Sequence, residues 1–193
     1  MIIGLVGFKQ VGKSTAAKHL EGRGFVRINM KDALVAEIKK NFPDLLREIF
    51  THTDLYGDLE NHPDLQSTDD LFEFKPPLMR ALMQNYGTEV RRGDNDSYWT
   101  DQWKEAVENC SSSHIVVDDV RFLNEAEAVK EQGGIIVRLT RPDISTGGDH
   151  SSETEQLQIV ADHTIECEAG GHGALYNALD KIILPPENWF PND

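Results

Sequence analysis

Two short stretches hold residue types whose spacing could do chemistry. The first is GFKQVGKST (7–15), which fits the pattern G-x-x-x-x-G-K-[ST] with Gly7, Gly12, Lys13 and Ser14. Glycines at those places let a loop fold back so that successive backbone N–H groups converge on phosphate oxygens. The helix that follows adds its positive end, Lys13 reaches the β- and γ-phosphates of a nucleotide, and Ser14 offers a hydroxyl to Mg²⁺. Thr15 fits a second hydroxyl near the phosphates as well as it fits an ordinary helix position. The motif follows an apolar run and precedes a helical pattern, the setting in which it works as a phosphate cradle.

The second stretch is HIVVDDVRFLNEAE (114–127), which begins as a buried strand and ends in charges of both signs. An apolar run closing on Asp118 suits a carboxylate that holds metal-bound water, with Asp119 as the alternative or as a helix cap. Arg121 stands just past the strand, where a guanidinium can take a second phosphate through two hydrogen bonds. Asn124 and Glu125 lie about one helical turn further on and can offer hydrogen bonds to a base edge. An exposed i,i+4 pair of Arg121 with Glu125 is the plainer reading of the same spacing.

The elements that must position these residues alternate between strand and helix. Strands are expected at 2–6, 24–28, 114–118, 135–140 and 163–167, with helices over 13–21, 31–42, 76–87, 97–110, 123–132, 153–161 and 173–183. Pro at the start and Gly at the end frame the helix PPLMRALMQNYG. Residues 51–76 are polar and irregular, a surface insertion or short helices. Alternation of this kind predicts a parallel sheet covered by helices, with ligands at the carboxyl ends of the strands.

The chain has 193 residues, enough for one domain with a full core. Its 33 acidic against 19 basic residues give a net charge of −14. Such a balance argues against gripping duplex nucleic acid, yet leaves room for a small anion site. Cys110 and Cys167 form no metal-ligand pattern and read as thiols in a reducing compartment. No stretch reaches the length of a membrane span, and the start is too short for a signal peptide. A cytoplasmic location is expected (a host cytoplasm if the source is viral), with no membrane and no nucleic-acid partner.

The order of motifs resembles the nucleoside monophosphate kinases. KPPLMRALMQNYGTEVRRGDNDSYW together with VVDDVRFLNEAEAV and HSSE resembles, within them, the deoxynucleoside monophosphate kinases of bacteriophages. The likeness covers most of the chain and is weakest over 43–74. It implies an α/β P-loop kinase fold in a single domain, 1–193, with a central parallel sheet of about five strands and helices on both faces. A helical acceptor-binding region over approximately 30–110 and a lid over approximately 141–153 would complete it. ATP and Mg²⁺ would be the cofactors and a deoxynucleoside monophosphate the small-molecule partner; a homodimer is compatible with it.

The same resemblance implies roles residue by residue. Arg121 would grip the acceptor's phosphate, with Asn124 and Glu125 near its base. Arg80 would contact the same phosphate and Gln84 the base, and Arg92 would be the arginine after the GTE turn, with Arg91 a solvated neighbour. Trp99 would pack on the acceptor's sugar or base, or else belong to the core. Arg141 would close on the transferred phosphoryl group, His150 is read as a loop histidine, and Ser152 with Glu155 forms a capping box. KDALVAEI carries no arginine where cellular adenylate kinases have one, so acceptor phosphate binding would rest on Arg80, Arg92 and Arg121. Two rivals follow: another small-molecule kinase of this fold, such as dephospho-coenzyme A kinase, and a non-catalytic protein that senses ATP.

Overall fold

A computed structural model describes residues 1–52, 65–93, 95–144 and 155–184. The chain divides into two compact units, Met1–Met30 with Lys104–Asp193, and Lys31–Trp103.

The first unit is built on a five-stranded sheet in the order β2-β3-β1-β4-β5. Its strands are β1 (Ile2–Val6), β2 (Val26–Arg27), β3 (Ile115–Val117), β4 (Ile135–Thr140) and β5 (His163–Glu166). Every pairing is parallel. The central strand IIGLV is buried along its whole length, as a strand covered on both faces requires. Ile3, Leu5, Val116, Val137 and Leu139 pack with Ala16, Ala17 and Leu20 of α1 (Lys13–Glu21) and with Leu175 and Leu179 of the C-terminal helix His172–Ile183. Parallel register matches Ile3 with Val116 and Gly4 with Val117, so both strands lead to the same edge of the sheet, β3 ending beside Gly4 and β1 continuing to Val6. The chain leaves β1 into residues 7–12 and leaves β3 into 118–122.

The second unit is helical. α2 (Lys31–Asn41), α3 (Pro43–Thr51), α4 (Asp70–Phe74) and α5 (Pro77–Gln84) lead into a π-helical stretch, Asn85–Arg92. α6 (Tyr98–Glu108) then carries the chain back to the first unit; α7 (Leu123–Glu131) and α8 (His172–Ile183) belong there. Ile38, Leu46, Ile49, Leu71, Met79, Tyr86 and Trp99 form this unit's core.

The strands fall where alternation put them, apart from shortened ends. Two helical expectations need correcting. Pro43–Thr51 is a helix that the sequence reading did not recognise, entered at Pro43 and burying Leu46 and Ile49. Gly87 does not stop the helix of 76–87, because the chain passes from α-helix into π-helix through it. A side chain at Gly87 would press on Leu34 at 3.1 Å, and its carbonyl accepts the Trp99 indole N–H at 2.8 Å. Of the helix expected over 153–161, Glu155–Gln158 makes one turn, closed by Gln158 N–H to Glu155 O at 2.9 Å. Among the described residues no helix is long and apolar enough to cross a membrane, and Cys110 and Cys167 are free thiols.

Sheet centre and sheet edge should respond differently to truncation. Ile3→Ala, at a fully buried site, is expected to cost about 2–5 kcal/mol in urea unfolding. Val26→Ala, on the edge strand and 41% exposed, should stay within about 0.5 kcal/mol of the parent. Equal losses would contradict the packing described.

Candidate active site

The loop after β1 has the backbone that a phosphate cradle needs. Gly7 has φ 152°, and a Cβ there would lie 2.4 Å from the Leu139 carbonyl oxygen. Gly12 has φ 105° and stands as the N-cap of α1 with no side-chain cap bond, and the first turn holds no acidic residue. Among the described residues no carboxylate is bonded to the first N–H groups of α1, a favourable arrangement for an external anion. Ser14 is exposed at that turn, and Thr15 is half-buried.

Lys13 turns back onto its own loop, donating to the carbonyls of Gly7 at 2.5 Å and Phe8 at 2.8 Å. Its pKa is pushed down to about 8, first by burial and then by the Arg121 guanidinium; Asp118 and Asp119 oppose the shift. The sheet thus brings the cations of both sequence motifs into one electrostatic field. Low-dielectric surroundings make two such like charges costly together, and an anion relieves that cost.

Asp118 and Asp119 are stitched to the end of β2. Asp118, only 7% exposed, donates its backbone N–H to the Asn29 side-chain oxygen at 3.0 Å. Its Oδ2 accepts from Arg27 at 3.3 Å, while Arg27 also donates to Glu21 at 2.6 Å. Asp119 accepts the Met30 backbone N–H at 2.9 Å. Among the described residues no donor is bonded to Asp118 Oδ1, and the Arg27 Nε is buried without a partner. Arg27 and Asn29 were missed in the sequence. The available signal was a lone charge inside the apolar run GFVRI, which a parallel sheet keeps only if it has a counter-ion. For Mg²⁺, the Ser14 hydroxyl and the Asp118 carboxylate are hard oxygen donors of the right kind. Among the described residues no three or more His, Cys, Asp or Glu side chains gather as a metal cage. Mg²⁺ is commonly held by one or two protein oxygens completed by phosphate and water.

Arg121 is exposed at the end of β3. Glu125, expected near a base, instead is 4% exposed and accepts the backbone N–H groups of Arg121 at 2.8 Å and Phe122 at 3.2 Å. Glu155 accepts the next one, from Leu123, at 2.9 Å. Glu155 is thus a cap for α7 (Leu123–Glu131), and Ser152, its expected capping-box partner, lies outside the described residues. The start of α7 is filled by protein carboxylates where the start of α1 is not. Asn124 is half-buried in the first turn of α7.

In the helical unit, Arg80 and Gln84 both lie exposed on α5. Arg92 ends the π-helical stretch. Trp99 is a core residue, 3% exposed and hydrogen-bonded to Gly87, so the sugar-or-base contact is withdrawn. Arg91 is also not a solvated neighbour. Its guanidinium lies 5.3 Å from the Tyr86 ring centroid and 5.1 Å from that of Tyr98, and it pairs with Glu37 at 2.9 Å. Tyr86 and Tyr98 hydroxyls also donate to Glu37. Burial works to raise the Glu37 pKa, but these hydroxyls and the guanidinium together hold it below the ordinary carboxylate value.

Arg141, expected to close on a phosphoryl group, has its donors on protein acceptors. Nε and Nη2 meet the two oxygens of Asp143 at 2.9 and 2.5 Å, and Nη1 donates to the Gln10 carbonyl at 3.0 Å. His150 and residues 145–153 of the expected lid lie outside the described residues.

No protein-family model matches the chain. It is 30% identical over 172 residues to a protein of Acanthamoeba polyphaga mimivirus named "Putative deoxynucleotide monophosphate kinase", covering 82% of this chain and 83% of that protein. Among solved structures it resembles TT1252 from Thermus thermophilus (16% identity, 95% and 96% of the two chains, TM-score 0.46). It also resembles a dephospho-CoA kinase from Campylobacter jejuni (15% identity, 94% and 96%, TM-score 0.42). The mimivirus match covers most of both chains at an identity that marks common descent, and by it this chain belongs to the deoxynucleotide monophosphate kinase family.

Proposed function

We propose that the protein transfers the γ-phosphate of ATP to a deoxynucleoside 5′-monophosphate, giving the diphosphate and ADP. The observation that carries this reading is the place of Arg121 just past β3, the strand paired with the one that leads into the phosphate loop, where its charge helps to depress the Lys13 pKa. One cation and an uncapped helix start serve a first set of phosphates; a second cation beside them suits a second phosphate-bearing substrate. A protein that only senses ATP has no use for that second cation.

In this reading Gly7, Gly12 and Lys13 hold the donor phosphates, and Ser14 and Asp118 serve Mg²⁺, which would supply charge neutralisation between the phosphates. Arg121 takes the acceptor's phosphate. Arg80, Gln84 and Arg92 are assigned to the acceptor through the family resemblance, as is the preference for the deoxy sugar. Asn124 is kept as a base contact, whereas Glu125 acts by fixing the backbone from which Arg121 projects. No protein nucleophile is required, since positioning and charge neutralisation supply most of the rate in phosphoryl transfer.

Two outcomes follow. Arg121→Ala should lower kcat/KM for the monophosphate by about 30- to several-thousand-fold, equivalent to roughly 2–5 kcal/mol, with ATP affinity little changed. Steady-state kinetics with each substrate varied, plus direct ATP binding, read this out; equal damage to both substrates would refute the assignment. Polyphosphate should also restore charge to Lys13. With a pKa of about 8 in the free protein, binding near pH 8 should raise that pKa and take up about half a proton. Calorimetry in buffers of different ionisation enthalpy measures the uptake. It should disappear in Lys13→Ala; uptake of the same size in that variant would assign the proton elsewhere.

A further inference from the structure

Arg141 follows directly on β4, yet it is not held as a mobile arginine awaiting a substrate would be. Its side chain is 21% exposed, and the guanidinium makes a two-point pair with Asp143, leaving Nη1 for the Gln10 carbonyl at 3.0 Å. Gln10 is the middle of the phosphate loop. It adopts φ 68°, a left-handed backbone that a non-glycine residue seldom takes without support.

The peptide joining Gln10 to Val11 is trans, as are the others among the described residues. In a planar trans peptide the C=O and the following N–H point in opposite directions. A guanidinium that holds the Gln10 carbonyl therefore also sets where the Val11 N–H points. A phosphate loop works by turning N–H groups, and not carbonyl oxygens, toward the anion. Rotation of this one peptide would exchange a donor for an acceptor next to the polyphosphate. The Val11 side chain, 1% exposed in the core, anchors the other side of the same peptide.

We infer that Arg141 and Asp143 form a brace on the donor loop, fixing the Gln10–Val11 peptide so that the loop receives phosphate; both are positioning residues for ATP. Asp143 acts through Arg141, holding the guanidinium planar against the loop by its second and third donors. Arg141 is then a part of the ground-state binding site and not a clamp on the group in flight. This inference rests on residues 7–14 being the ATP phosphate loop.

The test is equilibrium binding, without acceptor, of ATP and of inorganic tripolyphosphate to the full chain. Arg141→Ala should weaken both about tenfold, the loss of a charge-assisted hydrogen bond, and Asp143→Ala should weaken both about threefold. The monophosphate KM should hold in either variant. Arg141→Lys, which cannot reach Asp143 and Gln10 together, replaces the alanine variant if circular dichroism shows that one unfolded. A fall in kcat with unchanged binding, or an Asp143→Ala protein that binds normally, overturns the brace. So does weaker ATP binding with unchanged tripolyphosphate binding, which would place Arg141 on the nucleoside. Lys13→Ala separates the two levels: if that variant still binds tripolyphosphate normally, the phosphate-loop reading itself fails.

Discussion

The parallel pairing of β1 with β3 is the constraint on which the candidate site depends. Matching Gly4 with Val117 sets the two strands side by side and pointing the same way, with β1 continuing to Val6 past the end of β3. The loop carrying Lys13 and the turn carrying Asp118, Asp119 and Arg121 are then forced together. Lys13 registers the consequence as a depressed pKa, with Arg121 the leading charge responsible after burial. Four charges of both signs would be a poor use of that space in a purely structural protein, where burial of paired ions seldom gains stability. Around two sets of phosphates and a divalent cation they become complementary.

Helices α1 and α7, which follow the paired strands β1 and β3, are treated differently. α1 begins with Gly12 and no acidic residue in its first turn, whereas the N–H groups leading into α7, those of Arg121, Phe122 and Leu123, are taken by Glu125 and Glu155. An open helix start favours an anion by dipole and hydrogen bonds together. A filled one leaves only side chains to do so. Backbone amides thus suit the donor's polyphosphate, and the guanidinium of Arg121 suits a single smaller phosphate. Glu125 fixes the backbone from which that guanidinium projects.

Much of this was legible in the chain. The phosphate loop is local, so its spacing carries its own geometry, and apolar runs ending in charge gave away β1 and β3. What escaped depends on contacts far apart in sequence. Arg27 and Asn29 reach Asp118 across 91 and 89 residues, and Glu155 reaches Leu123 across 32. Trp99 was divided between ligand and core because helical spacing says only that a face is apolar. Arg91 looked solvated because a π-helical stretch changes which positions share a face, bringing it onto Tyr86. Gly87 looked like a stop signal because its reason for being glycine is the close approach of Leu34, not a turn.

Acceptor-dependent formation of ADP tests the central claim most directly. With ATP and Mg²⁺, the purified protein should form ADP only when a deoxynucleoside monophosphate is added, with one diphosphate product appearing for each ADP. Offering the four deoxynucleoside monophosphates and their ribonucleotide counterparts one at a time identifies the base and the sugar preference. ADP formed at the same rate without any acceptor, or none with every monophosphate offered, would contradict the account.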